Sequence, residues 1–170
     1  MPAASRRTGR PRAPTDVRVT AAARIPLRPL GVAALAAAVV RAERGALAAL
    51  SITFVGPARI RALHRAHLGA DRLTDVIAFA LRPSAVGRPP SAVGRRPSTA
   101  IVGDVYVCAA VAAREAARTG TTLKAELRRL VIHGVLHVLG HDHPDGATRT
   151  TSAMWRRQEC YLRRFSRLAP

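Results

Sequence analysis

Residues 133–143 read HGVLHVLGHDH and hold four of the six histidines in the chain. His133 and His137 are four positions apart. On a helix, four residues advance by about 400°. Both imidazoles therefore leave one face, a turn apart, which is the spacing two ligands of one metal ion require. Gly140 admits a positive φ, so the chain can leave the helix there and turn back. His143 follows beyond that turn. Three imidazoles can then converge on a tetrahedral ion and leave its fourth position to water, the open arrangement of a catalytic zinc rather than the closed one of a structural zinc. A single histidine on a helix is as a rule an ordinary core or surface residue; three at this spacing, with a glycine at the turn, read as a ligand set. His141, one residue past Gly140, is the rival for third ligand. Asp142 is placed to orient a ligand or bound water and is the candidate general base of the stretch. Imidazole-only ligation suits zinc, and less well copper, nickel or iron. Neutral ligands leave the ion's charge intact, which brings the pKa of a bound water toward neutrality.

The spacing of His133, His137, Gly140 and His143 is also that of the metzincin peptidases, HExxHxxGxxH. Their general base follows the first histidine, where this chain has Gly134. Glu126 is a poor replacement: it is seven residues away, roughly 10 Å along a helix axis. Without that base, a substrate whose hydrolysis leans on the metal and on charge neutralisation is favoured. A phosphodiester qualifies.

The charge agrees with such a substrate. The chain has 170 residues and a formal net charge of +18. Seven arginines against one acid lie in residues 1–30, four against none in 82–98, and six against one in 146–170. A polyanion such as RNA would meet that surface. Arg-biased composition explains it equally well, since Lys124 is the lone lysine.

Other elements must position the histidines. An apolar fraction of 48% in 170 residues supports one domain with a real core. Residues 1–15 read as a disordered basic tail, and 16–170 as one α+β domain with a small sheet packed by helices. Strands are expected at 17–22, 47–55, 75–81 and 99–108, and helices at 29–44, 57–67 and 109–118. The helix at 121–139 carries HxxxH, with Thr121 or Thr122 as its cap. One long Arg-rich helix is expected over 146–168. Residues 82–98 repeat SAVGR within a Gly/Pro/Arg-rich stretch and read as a flexible insertion. The apolar run 30–40 is about half a membrane span and ends at Arg41 and Arg44, so no membrane partner is expected. Two cysteines, Cys108 and Cys160, suit a reducing compartment, and a cytoplasmic protein is the default.

Several other residues invite bland readings. Asp75 and Asp104 read as strand-end residues. His64 and His67 read as surface histidines. Trp155, Tyr161 and Phe165 read as core or cleft wall, with nucleobase stacking the lesser alternative.

The histidine stretch resembles the YbeY family motif HGxLHLxGYDH. The family tyrosine falls at His141, so the resemblance assigns the metal ligands to His133, His137 and His143. GDVYVC at residues 103–108 resembles the family's GDI-type strand, and LTDVIAF at 73–79 its PTDVLSF segment. ELRRLVIHG from Glu126, then Met154 and Glu159, also match, and the similarity covers roughly residues 45–165. It implies a zinc-dependent, single-strand-specific endoribonuclease that matures the small-subunit ribosomal RNA 3′ end and serves ribosome quality control. It implies one zinc ion held in a cleft of a single α+β domain with a small, mostly parallel sheet, ribosomal RNA as partner, and contacts with ribosomal proteins or assembly factors. Three features depart from the family. Leu68 stands where the family often has an arginine thought to help catalysis, with Arg65 and Arg72 nearby. Leu73 replaces the usual proline. The segment 82–98 and the basic tail are additions. The rival readings are an RNA- or ribosome-binding assembly factor with mainly structural zinc, and a metalloprotease, against which Gly134 counts.

Overall fold

The computed structural model describes residues 16–43, 47–81, 101–144 and 146–168. The expected tail at 1–15 and insertion at 82–98 lie outside the described residues. Four strands form one sheet: β1 (Asp16–Ala21), β2 (Leu47–Val55), β3 (Val76–Leu81) and β4 (Ile101–Cys108), in the order β1-β2-β4-β3. β1, β2 and β4 are parallel, and β3 runs antiparallel on the outside of β4. The helices are α1 (Pro29–Ala42), α2 (Pro57–Leu68), α3 (Ala109–Thr119), α4 (Leu123–Val138) and α5 (Ala153–Arg164). This is the single, mostly parallel α+β domain that the sequence implies.

The strands alternate as a sheet covered on both faces must. Leu50, Ile52 and Phe54 of β2, with Val105 and Val107 of β4, join the main core with α1, α4 and α5. Val55, Ile77 and Cys108 meet Ile60 and Leu63 of α2 in a second cluster on the other face. Helix starts follow local chemistry. Pro29 and Pro57 occupy the first turns of α1 and α2. Thr122 caps α4, its hydroxyl accepting from the Ala125 N–H at 3.1 Å.

α4 carries the histidines and lies close on β4. A Cβ on Gly134 would stand 2.4 Å from Cγ1 of Val105, and one on Gly103 would stand 2.4 Å from Cγ1 of Val138. Two glycines, one on each element, thus receive a valine from the other. Residues 134 and 138 share a helix face, as 103 and 105 share a strand face. That seam fixes α4 on the sheet and leaves His133 and His137 about 100° round the helix, toward the cleft.

The single helix expected over 146–168 is two pieces. Residues Gly146–Thr151 form a 3₁₀ turn, and α5 begins after Ser152. The Ser152 hydroxyl accepts from the Trp155 N–H at 3.1 Å, a fresh N-cap that restarts the helix on a new axis. The break places Arg149 over the histidine cluster. Asp104 is also placed differently from its expected strand end. It lies mid-strand in β4, paired with Phe79 and Ser51, on the side of the sheet away from α4.

Candidate metal centre

α4 ends at Val138 and Leu139 caps it. Gly140 takes φ +92°, its N–H reaches the His137 carbonyl at 2.9 Å, and the His141 N–H reaches the Leu136 carbonyl at 3.0 Å. This paired closure reverses the chain and returns His143 to the helix face. His133 Nε2 then lies 3.0 Å from His137 Nε2 and 3.2 Å from His143 Nε2. One ligand atom from each of the three residues falls within 4.8 Å of the others. The spacing is that of lone pairs aimed at a common centre.

The opposite ring nitrogens fix the tautomers. His133 Nδ1–H donates to Gln158 Oε1 at 2.8 Å. The Gln158 amide Nε2 donates in turn to Glu159 Oε1 at 3.2 Å, which sets the amide orientation. His143 Nδ1–H donates to the Pro144 carbonyl at 3.1 Å. Asp142 Oδ1 lies 3.8 Å from His137 Nδ1 and accepts from the His143 N–H at 2.8 Å. Burial, aided by the neighbouring His137, pushes His133 down to about 3. Burial and the nearby His143 lower His137 as well. Both rings are therefore neutral at physiological pH, the form that binds metal. The donor set fits a borderline-soft divalent ion such as zinc.

Gln158 is fully buried and is the only carbonyl donated to by His133 among the described contacts. Gln158→Leu should therefore lower metal affinity about 10–100-fold with the fold retained, read by chelator competition. Equal affinity in both proteins would show that the contact does not orient the ligand.

His141 is not part of the cluster. Its Nε2 meets Glu43 Oε2 at 2.9 Å, 98 residues away in sequence. Glu43, just past α1, also accepts from Arg157 at 2.8 Å and from the Tyr161 hydroxyl. Burial alone would raise the Glu43 carboxyl, but the hydrogen bonds from Tyr161, Arg157 and His141 outweigh it and hold the group below the usual range. Tyr161 is pushed up to about 12 by burial and by its bond to Glu43. This network ties the turn before His143 to α1 and α5. Of the expected aromatic set, Tyr161 is core and Trp155 is cleft wall.

Two clefts meet at the cluster. One, of about 540 Å³, is lined by Arg118, Glu126, Arg129, Trp155 and Gln158. The other, of about 530 Å³, runs along β3 past Leu68, Arg72, His137 and His143. His133, Asp75 and Arg149 line both. Arg129 lies over the Trp155 ring, 5.6 Å from its centroid. Glu126 is buried beside Arg129, and burial raises its carboxyl. Asp75 keeps the strand-end role expected of it, Oδ1 accepting from the Val76 N–H at 2.8 Å. His67 is exposed, as expected, but His64 is buried. The His64 ring donates from Nδ1 to the Ala70 carbonyl at 2.6 Å and accepts from Arg72 Nε at 3.3 Å, bracing the loop before β3. Sequence reasoning missed Gln158, Arg149 and Glu43, which reach the histidine stretch from distant elements and carry no local signal.

The family model described as Endoribonuclease YbeY matches residues 29–166. The chain is 36% identical over 118 residues to the Endoribonuclease YbeY of Geobacillus kaustophilus, covering 69% of this chain and 73% of that protein. It is 34% identical over the same length and shares to the protein of that name in Staphylococcus aureus strain JH9. The solution structure of TM1509 from Thermotoga maritima is similar in fold, with a TM-score of 0.55 at 24% identity over 88% of each chain. No described helix is long and apolar enough to cross a membrane.

Proposed function

The chain belongs to the YbeY endoribonuclease family, and from that premise we propose a zinc-dependent hydrolase that cuts single-stranded ribosomal RNA. Maturation of the small-subunit RNA 3′ end, with a part in ribosome quality control, is the process it would serve, in the cytoplasm and among ribosomal proteins or assembly factors. The observation that carries the reading is the set of three converging imidazole nitrogens where two arginine-lined clefts meet.

His133, His137 and His143 would hold the zinc. Bound there, zinc would supply a water of near-neutral pKa and positive charge for a phosphate oxygen. Gln158 and the Pro144 carbonyl keep two of the rings in the tautomer that presents Nε2. Asp142, at the exposed rim, is the candidate proton acceptor. Arg72 and Arg118 line the cleft walls and would counter the charge of an RNA backbone. Gly134 denies the site the glutamate that peptide hydrolysis would use.

The test is substrate choice. Zinc-loaded protein is offered the same labelled RNA as single strand and as duplex, and casein in parallel. Cleavage of the single strand at least ten times faster than the duplex, with casein intact, is expected. Casein cleavage without RNA cleavage would return the peptidase reading. RNA binding with no turnover would favour an assembly factor.

A further inference from the structure

Arg149 stands on the 3₁₀ turn directly above the histidine cluster. Its Nη2 donates to His133 Nε2 across 3.4 Å. Its Nε is buried with no hydrogen-bond partner among the described residues. The other cationic side chains of the adjoining cleft have carboxylate partners. Arg118 meets Glu115 at 2.5 Å, and Arg129 meets Glu126 at 3.6 Å and Glu159 at 3.7 Å. Arg149 makes no such pair among the described residues. Arg149 is half-buried and acts on Glu115 and Glu126 only through space, without a direct ion pair, so its donors are left for an external anion. α2 sends only Leu68 to the neighbouring wall, which offers no charge.

Resting on the ribonuclease reading, we infer that Arg149 is the phosphate-holding residue of this site: its planar fork takes two oxygens of the phosphate at the junction of the two clefts. A strand passing from one cleft to the other crosses Asp75, His133 and Arg149, which line both, and Arg149 is the cation among them. The guanidinium suits this position because it offers paired donors in fork geometry. The His133 lone pair that accepts from Arg149 is the one His133 would give to a metal. Once that lone pair is taken, Nη2 loses its protein acceptor and is left to the substrate.

The test compares wild type with Arg149→Ala and Arg149→Lys. Three quantities are read: inorganic phosphate affinity of the zinc-loaded protein by titration, zinc affinity by chelator competition, and single-stranded RNA cleavage. Arg149→Ala is expected to weaken phosphate binding about tenfold or more, to leave zinc affinity equal or higher, and to lower kcat/KM by about 10²–10³-fold. Arg149→Lys should recover part of the phosphate affinity and less of the rate, because a point charge lacks the fork. Phosphate affinity equal in all three proteins would overturn the inference. So would a loss of zinc affinity parallel to the loss of phosphate affinity, which marks a merely structural role. If wild type cleaves no RNA, the function fails, while the phosphate and zinc titrations still decide the part played by Arg149.

Discussion

His137→Ala should abolish metal binding and lower RNA cleavage by at least about 10³-fold while the protein stays folded. The size follows from what leaves with the ion. A bound metal contributes several kcal/mol of charge stabilisation, and each 1.36 kcal/mol is a factor of ten in rate. His137 is the histidine to remove first because it is only half-buried, whereas His133 is 4% exposed and locked to the fully buried Gln158. Truncating His133 would strand Gln158 Oε1 and confound metal loss with destabilisation. The check is zinc content, circular dichroism and cleavage on the same preparations. A folded, zinc-free His137→Ala protein that still cuts at the wild-type rate would remove the cluster from the chemistry.

Restoring the peptidase glutamate should unfold the protein rather than create a peptidase. The Cβ of any residue at 134 meets Cγ1 of Val105 at 2.4 Å, and Val105 is buried and β-branched, with little rotamer freedom to retreat. Gly134→Ala should cost about 1–3 kcal/mol from overpacking, even though alanine is the better helix former. Gly134→Glu adds a carboxylate to the same apolar seam and should cost more than about 4 kcal/mol. Chemical denaturation measures both. Val105→Ala in the Gly134→Ala background should give back part of the loss, a coupling of about 0.5–3 kcal/mol. Full stability of Gly134→Glu would mean that α4 does not seat on β4 as described.

These two positions show what a sequence carries and what it withholds. The HxxxH spacing, the cap at Thr122 and the reversal at Gly140 are local, so His133, His137 and the helix that bears them were legible, with the third position narrowed to His141 or His143. The absence of a glutamate at 134 was also legible, and pointed away from peptide hydrolysis. Its physical cause was not, because it lies in Val105 on another element. Choosing between His141 and His143 from residue type alone left both open. In the structure His141 meets Glu43, 98 residues distant, and His143 joins the cluster. Gln158 and Arg149 reach His133 from 25 and 16 residues away. Neither is a usual metal ligand, and no local pattern marks them. The Arg-rich C-terminal segment looks like one amphipathic helix by periodicity, yet Ser152 outcompetes that pattern by capping a new start. His64 looked like a surface residue because a helix end beside a glycine is usually wet. The loop at Ala70 and Arg72 folds back and covers it.

The most direct measurement strips the wild-type protein of metal with a chelator, removes the chelator, and titrates zinc back while single-stranded RNA cleavage is followed. No cleavage in the stripped protein, a linear rise on adding zinc, and saturation at one equivalent per chain are expected. Cleavage that survives stripping, or that stays absent from a folded protein carrying one zinc, would contradict that expectation.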